Sequence, residues 1–128
     1  MKYEVKSKIA GFDDVTEVEL VKIDEMFYSL RAPQQEGLSF TVVNPHLLRE
    51  YNFDISDEVS ELLDIKDEKD LMIYNMLVIQ NPLEESKINF MAPLIFNNAN
   101  MTMTQTLLEV NDEQSFGYSE SLKKYITL

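Results

Sequence analysis

The feature that most constrains the fold is a series of short segments of strand character, each ended by a turn signal. Residues 2–9 alternate strictly, and Tyr3, Val5 and Ile9 lie on the more apolar side. A period of two is that of a half-buried β-strand. Similar β-type stretches occur at residues 15–23, 26–31, 38–43, 71–80, 88–97 and 102–110. About seven short strands at this spacing predict an antiparallel sandwich or barrel.

Glycine and proline mark the boundaries between these segments. Gly11 follows the first strand, breakers bound a loop at residues 33–37, and Asn-Pro pairs at residues 44–45 and 81–82 end two more strands. Pro93 lies inside the segment 88–97. Because proline has no N–H to donate to a ladder, we expect Pro93 at a bulge or at a sheet edge.

One stretch has helical rather than strand periodicity. Ser56 can act as an N-cap, and the two acids after it fall in the first turn, where the helix dipole favours them. Val59, Leu62 and Leu63 follow at helical spacing, so we predict a short helix over residues 57–64. Helical turns are also possible at residues 46–51 and in the tail from Ser119. The predicted fold is mainly β, a small antiparallel β-barrel or sandwich-like single domain with one or two short helices.

Length and composition agree with a small protein that needs no disulfide or metal to fold. The chain has 128 residues, of which 45% are hydrophobic, and it has no cysteine. This length is typical of one domain. The first residues lack the apolar core of a signal peptide, and nowhere does an uncharged apolar run reach the ~18 residues of a membrane span. We therefore expect a cytoplasmic location and no membrane partner.

The chain is strongly acidic, with 23 Asp and Glu against 11 Lys and Arg and a net charge of −12. A field of this sign repels phosphate backbones and anionic membranes, so direct binding to nucleic acid is disfavoured. Two interpretations remain open. The charge either keeps the protein soluble or steers it toward a basic partner.

The residues needed for most active sites are missing. His46 is the only histidine, and without cysteine it cannot complete the usual zinc sites. Three scattered glycines cannot form a phosphate-binding loop. The acidic stretch 64–70 lacks the glycine of a calcium-binding loop. We therefore expect no cofactor, no metal and no enzymatic activity. The alternatives are a small carboxylate-based hydrolase, a sugar-binding barrel using paired acids, or a structural subunit of an assembly.

Several motifs, taken in order, resemble the FliW family of flagellar assembly factors. Residues 38–45 read Leu-Ser-Phe-Thr-Val-Val-Asn-Pro, similar to a family strand that ends in Asn/Asp-Pro. Residues 88–97 read Ile-Asn-Phe-Met-Ala-Pro-Leu-Ile-Phe-Asn, similar to a family segment built around Ala-Pro. Smaller matches are Gly11-Phe12, Tyr51, Ile55-Ser56-Asp57, Leu62 or Leu63, Gln105 and Leu107-Leu108.

The resemblance covers roughly residues 9–110 and departs from the family at a few positions. Only ten residues precede Gly11, where FliW chains usually carry a longer segment rich in glycine and proline. Phe90 stands in place of a leucine, and Phe96 in place of an isoleucine or valine. These exchanges are apolar and spare the fold. The resemblance implies a single FliW-like domain over residues 1–128.

The function implied by the resemblance is a partner switch. FliW-like proteins bind and antagonise the CsrA-family translational repressor and also bind flagellin, which couples flagellin translation to export. The expected partners are therefore a CsrA-family RNA-binding protein and flagellin, and the expected state is a monomer. An acidic antagonist suits a repressor whose RNA-binding surface is basic.

The candidate partner-binding residues fall into two groups. The first lies in the densest acidic block, residues 50–70, which holds nine acids against two lysines. A solvated helix face is the alternative interpretation of that block. The second is the set of motif Asn and Pro residues, which either shape strand ends or line a binding surface, for example an exposed sheet edge near Pro93. The candidates are Asn44, Pro45, Glu58, Glu61, Asp64, Asn89, Pro93 and Asn97.

Overall fold

The structure, a computed structural model, describes residues 1–7, 9, 12, 14–33, 38–108 and 120–125. Predictions at Gly11, residues 34–37, Val110, Ser119 and Ile126 lie outside these ranges. Short 3₁₀ turns lie at Pro45–Leu47, Glu68–Asp70, Leu83–Glu85 and Leu122–Lys124. The strands and the α-helix are β1 (Lys2–Val5), β2 (Glu17–Lys22), β3 (Phe27–Arg31), β4 (Ser39–Val43), α1 (Asp57–Leu62), β5 (Leu71–Val78), β6 (Lys87–Ile88), β7 (Leu94–Asn97), β8 (Thr102–Gln105) and β9 (Glu120–Ser121).

Seven strands close into a barrel, which confirms the mainly β prediction. Their order is β4-β3-β2-β1-β8-β7-β5, and β5 pairs with β4 to complete the ring. β6 and β9 extend the sheet outside the ring, beyond β5. One pair differs from the antiparallel prediction, because β1 and β8 run parallel, with Glu4 opposite Thr102 and Val5 opposite Met103. A period of two reports which face a residue occupies and carries no information on strand direction.

The barrel interior is filled by one alternate set of residues from each strand. Tyr3 and Phe96 meet edge to face with ring centroids 4.8 Å apart. β1 ends at Val5, before the end of the predicted segment 2–9, and Ile9 pairs separately with Phe12, whose N–H donates to the Ile9 carbonyl at 2.8 Å. Burial of each large apolar side chain stabilises the fold by about 1.5–3 kcal/mol. The buried interior set is Tyr3, Ile9, Val15, Val18, Leu20, Leu30, Ala32, Val42, Tyr74, Leu94, Phe96 and Met103.

The segment 88–97 is two strands separated by a bulge, rather than one continuous strand. Both β6 and β7 pair with β5, with Ile88 opposite Leu77 and Leu94 opposite Tyr74. Between those two pairs, β5 has two residues, whereas the segment that links β6 to β7 has five, at positions 89–93. Pro93 is buried at the end of this bulge. The sequence predicted Pro93 at a bulge or at a sheet edge, and the bulge is confirmed.

Two buried polar side chains hold the bulge in place. The hydroxyl of Tyr51 donates to the carbonyl of Phe90. The Asn75 amide donates to the carbonyl of Asn89 at 2.8 Å and to the Tyr51 hydroxyl at 3.2 Å. Tyr51 is 2% exposed and Asn75 is fully buried, so the bulge carbonyls gain partners that a regular ladder would otherwise supply.

The long connection from β4 to β5 covers the outside of the barrel and contains α1. The Ser56 hydroxyl accepts from the N–H of Val59 at 3.2 Å, which confirms the predicted N-cap. The helix ends at Leu62, two residues before the predicted end, and Asp64 follows with a φ of 51°. Val59 and Leu63 pack against Ile95 on the outer wall.

The carbonyl of Leu63, at the end of α1, is bound by side chains from the β7–β8 hairpin. Asn97 Nδ2 donates to it at 2.9 Å and Asn100 Nδ2 at 2.8 Å. The last carbonyls of a helix lack partners within the helix, so these bonds cap α1 and fix it to the barrel.

The C-terminal segment is a short strand followed by a 3₁₀ turn, where the sequence suggested a helix. Leu122 is fully buried, and its N–H donates to the carbonyl of Ser86 at 2.7 Å. Glu120 forms ion pairs with Lys124 at 3.0 Å and Arg49 at 3.6 Å. Long-range contacts to residues 49 and 86 therefore override the helical spacing of the tail.

Replacing Tyr51 by Phe should destabilise the protein at neutral pH. The substitution keeps the ring but removes the hydroxyl, which leaves the Phe90 carbonyl unpaired in a buried site. We expect a loss of about 1–3 kcal/mol in the free energy of unfolding, measured by urea denaturation. Asn52→Ala is the matched control, because Asn52 is exposed and bonds only locally, to Glu50. Equal midpoints for the two variants would contradict this role of the hydroxyl.

The same hydroxyl should make stability fall at alkaline pH. Burial raises the pKa of Tyr51 to about 12, opposed in part by the Asn75 hydrogen bond and the Arg49 charge. An unfolded tyrosine ionises at pH ~10, so below that pH the buried hydroxyl of Tyr51 makes its full contribution to the free energy of unfolding. It is lost as the pH rises from about 10 to about 12, at up to ~1.4 kcal/mol per pH unit. Denaturation at stepped pH should show this slope, reduced in Tyr51→Phe.

Asn97 and Asn100 donate to the same carbonyl and provide a matched pair for testing the cap. Asn97 is 1% exposed and also accepts from the N–H of Ala99 at 3.0 Å, whereas Asn100 is exposed. Asn97→Ala should cost about 1–3 kcal/mol, because it leaves buried groups unpaired. Asn100→Ala should cost less, since water can replace the exposed amide. Equal losses in the free energy of unfolding of the two variants, measured by chemical denaturation, would show that burial does not determine how much each amide contributes to stability.

Candidate functional site

The three acidic candidates lie exposed on α1 and just beyond it. Glu58 and Glu61 are three residues apart and share a helix face, and Asp64 follows at the helix end. Asp64 pairs with Lys66 at 2.9 Å, with 69% and 78% of the two side chains exposed. Such exposed pairs contribute little to stability. The buried side of α1 holds this face toward solvent, with Val59 and Leu63 packed against the barrel.

The three candidate asparagines bond to nearby backbone. The Asn97 side chain donates to the carbonyl of Leu63 at the end of α1 and accepts from the N–H of Ala99. The Asn44 side chain accepts from the N–H of His46 at 3.1 Å, which begins the 3₁₀ turn after β4. The Asn89 side chain accepts from the N–H of Met91 at 3.2 Å, inside the bulge. Each of the three therefore sets local backbone geometry.

The two candidate prolines are both buried, and the expected exposed edge near Pro93 is wrong. Pro93 ends the bulge, and β7, which follows it, pairs with β5 on one side and β8 on the other. Barrel closure therefore leaves no unpaired backbone there for an added strand. Pro45 is buried in the 3₁₀ turn after β4. Neither proline ring is accessible to a partner.

A feature not found from the sequence is a concave surface on both sides of Asp54 and Ile55. We call it the Asp54 groove. Its two hollows share those two residues and have cavity volumes of about 550 and 440 Å³. The larger hollow is lined by His46, Tyr51, Asn52, Phe53, Asp54, Ile55, Glu68, Leu71 and Ile73. The smaller is lined by Asp54, Ile55, Ser56, Glu58, Val59, Ile95, Thr106, Leu107 and Leu108.

The Asp54 groove combines exposed apolar side chains with polar groups and acidic side chains. Among the described residues that line it, the acidic ones are Asp54, Glu58 and Glu68, and none is a lysine or arginine. Leu107 is 75% exposed at its rim. The sequence shows the acidic block, but the apolar side chains of the groove come from four separate parts of the chain. The one local signal was the alternation of Phe53 and Ile55 with acidic and polar neighbours.

The described residues do not gather a metal or catalytic constellation. Among them, no three His, Cys, Asp or Glu side chains lie close enough to hold a metal ion. Within the same ranges, the buried polar side chains are Asn75, Ser86, Asn97, Thr102 and Thr104, and none is a carboxylate. His46 is exposed, with its ring centroid 6.3 Å from that of Tyr51. No helix in the described part of the chain has the length and apolar character to cross a membrane.

Comparison with known proteins gives a consistent family. The family model for FliW protein matches residues 2–119. Flagellar assembly factor FliW 1 of Wolinella succinogenes is 41% identical over 126 residues, covering 98% of each chain. Flagellar assembly factor FliW of Sulfurimonas denitrificans is 38% identical, again with 98% of each chain covered.

A solved structure shows the same fold. The crystal structure of the flagellar assembly factor FliW superposes with a TM-score of 0.85 at 22% identity, covering 94% of this chain and 84% of that one. The segment matched by the family model, residues 2–119, runs from β1 to the residue before β9. It therefore includes the barrel, α1 and the Asp54 groove. The chain therefore belongs to the FliW family of flagellar assembly factors.

Proposed function

We propose that this protein is a cytoplasmic, monomeric regulator that binds and antagonises a CsrA-family translational repressor and also binds flagellin. Flagellin that accumulates before export would then compete for this protein and release the repressor, which couples flagellin translation to export. The observation that carries the proposal is the family match over residues 2–119. No enzymatic step, cofactor, membrane or direct nucleic-acid contact is part of it.

The charge distribution supports the choice of a basic partner. The chain carries a net charge of −12, and Glu58 and Glu61 project from a helix fixed to a closed barrel. Complementary charge mainly speeds association and selects the partner, and it needs no change of shape in this protein. A protein with a basic RNA-binding surface has the complementary sign.

Carboxylate burial gives no support to the hydrolase alternative among the described residues. A carboxylic acid that acts as general acid near neutral pH needs burial or a close like charge to raise its pKa. In the part of the chain that the structure describes, no Asp or Glu is buried. The structural-subunit alternative predicts a stable homo-oligomer, which size-exclusion chromatography with light scattering would reveal.

Capture experiments test the partner switch directly. Immobilised protein should retain a purified CsrA-family repressor, and it should separately retain flagellin. Added flagellin should displace the repressor in proportion to its concentration, because the proposal makes the two complexes mutually exclusive. Retention of neither protein at low salt would refute the proposed function. Simultaneous retention of both would refute the competitive switch.

The acidic helix face makes a narrower prediction about association rates. The triple variant Glu58→Lys, Glu61→Lys and Asp64→Lys should slow association with the repressor by about tenfold or more at low salt. The matched control reverses three other exposed acids, Glu4, Asp14 and Glu25, and changes the net charge equally. Stopped-flow rates at several ionic strengths give the comparison. Equal slowing by both triples would mean that net charge, and not this face, steers the partner.

A further inference from the structure

The two hollows of the Asp54 groove form one surface, because Asp54 and Ile55 line both. The barrel contributes the outer wall through Leu71, Ile73 and Ile95. The connection from β4 to β5, which covers the barrel wall, contributes Asp54 and Ile55 between the two hollows. Each hollow, at about 550 and 440 Å³, is large enough to hold a bulky apolar side chain with its neighbouring backbone.

The walls of the Asp54 groove expose apolar surface beyond what packing inside the protein buries. Phe53, Ile55, Leu71 and Ile73 are only partly buried where they pack beside Val59, Leu63 and Ile95, and Leu107 is 75% exposed. Apolar surface gathered in a concave site is characteristic of binding surfaces, whereas isolated exposed apolar residues are ordinary. This surface is therefore available to an apolar side chain of a partner.

The sign of the charges around the Asp54 groove restricts that partner. Asp54, Glu58 and Glu68 line it, and the described lining residues include no lysine or arginine. An acidic ligand would meet uncompensated repulsion there, whereas a lysine or arginine beside an apolar side chain can pair with these acids. A second exposed apolar patch, at Val78, Ile79 and Leu83, has the neighbours Glu84 and Lys87 and so selects no sign.

We propose that the Asp54 groove binds a cationic amphipathic segment of a partner protein, with one bulky apolar side chain in each hollow. Lysine or arginine residues flanking those side chains pair with Asp54, Glu58 and Glu68. The proposal rests on the proposed function in taking the partner to be one of the two proteins of the switch. It places the anchor in the groove and leaves the outer acids Glu61 and Asp64 to steer association.

A titration of the intact protein tests the site without any substitution. The probe is a 14-residue peptide of leucine and lysine at amphipathic helical spacing, followed by methyl NMR of the protein. We expect saturable shifts confined to the methyl groups of Ile55, Ile73, Leu107 and their neighbours, with none at Ile79 or Leu83. The same pattern built from leucine and glutamate should produce no shifts. Shifts spread evenly over the surface, or centred on the exposed residues Val78, Ile79 and Leu83, would overturn the proposal.

A matched pair of double variants then tests the groove with whole partners. Asp54→Lys with Leu107→Ser alters the groove, and Asp14→Lys with Leu83→Ser makes the same exchanges outside it, at exposed positions in both cases. The groove variant should weaken peptide binding, and capture of one partner, by about tenfold or more, in the range of a lost binding hot spot. The control should stay within about twofold of the unmodified protein.

The outcomes separate the groove from the wider function. If the groove variant captures both repressor and flagellin as well as the unmodified protein does, the groove assignment is wrong and the partner switch stands. If the unmodified protein captures neither partner, the switch is wrong, and the peptide titration alone decides the groove. Loss of capture by both double variants would also overturn the groove assignment, because it would place the effect outside the groove.

Discussion

The pairing of β5 with β4 is the contact on which the rest of the structure depends. It joins Thr41 to Leu77, Val42 to Met76 and Val43 to Asn75, and so turns an open sheet into a seven-stranded barrel. Closure removes the free edges of the ring and fixes which side chains face inward. Outside the ring, the connection from β4 to β5 and residues 120–125 form a covering layer on the outer wall. The outside of this covering layer includes the exposed acids of α1 and the Asp54 groove.

The covering layer is fixed by polar contacts at a few points where regular pairing fails. Tyr51 and Asn75 satisfy the bulge, and the β7–β8 hairpin caps the carbonyl of Leu63. Buried amides are costly when unpaired, so these sites tolerate few exchanges. The Asn and Pro residues of the motifs therefore hold the backbone in place and are mostly turned away from the surface. In the proposed switch, partner contacts are made by other residues, the exposed acids of α1 and the Asp54 groove.

Local features of the fold were predictable from the sequence. The N-cap at Ser56 and the strands β3, β4 and β5 depend on neighbouring residues and on alternation, and they lie close to where the sequence placed them. The missed features depend on distant contacts. The parallel pairing of β1 with β8 joins residues almost one hundred positions apart, and the strand at the C-terminus needs β6 beside it. The acids of the Asp54 groove were visible in the sequence, but its apolar wall is assembled from residues 53–59, 71–73, 95 and 106–108.

The acidity of the chain and the apolar groove contribute to binding at different distances. A net charge of −12 attracts any basic surface over roughly one Debye length, about 8 Å at physiological ionic strength, so it accelerates encounters without choosing among basic proteins. Choice requires contacts that only one arrangement can make, such as an apolar side chain in each hollow beside a cation at Asp54. Those contacts set how long a complex lasts, since affinity differences between related complexes arise mainly in dissociation. The proposed switch, in which partners exchange as flagellin accumulates, needs both properties. In that proposal, fast association comes from the exposed acids of α1, and selective retention comes from the groove beside them.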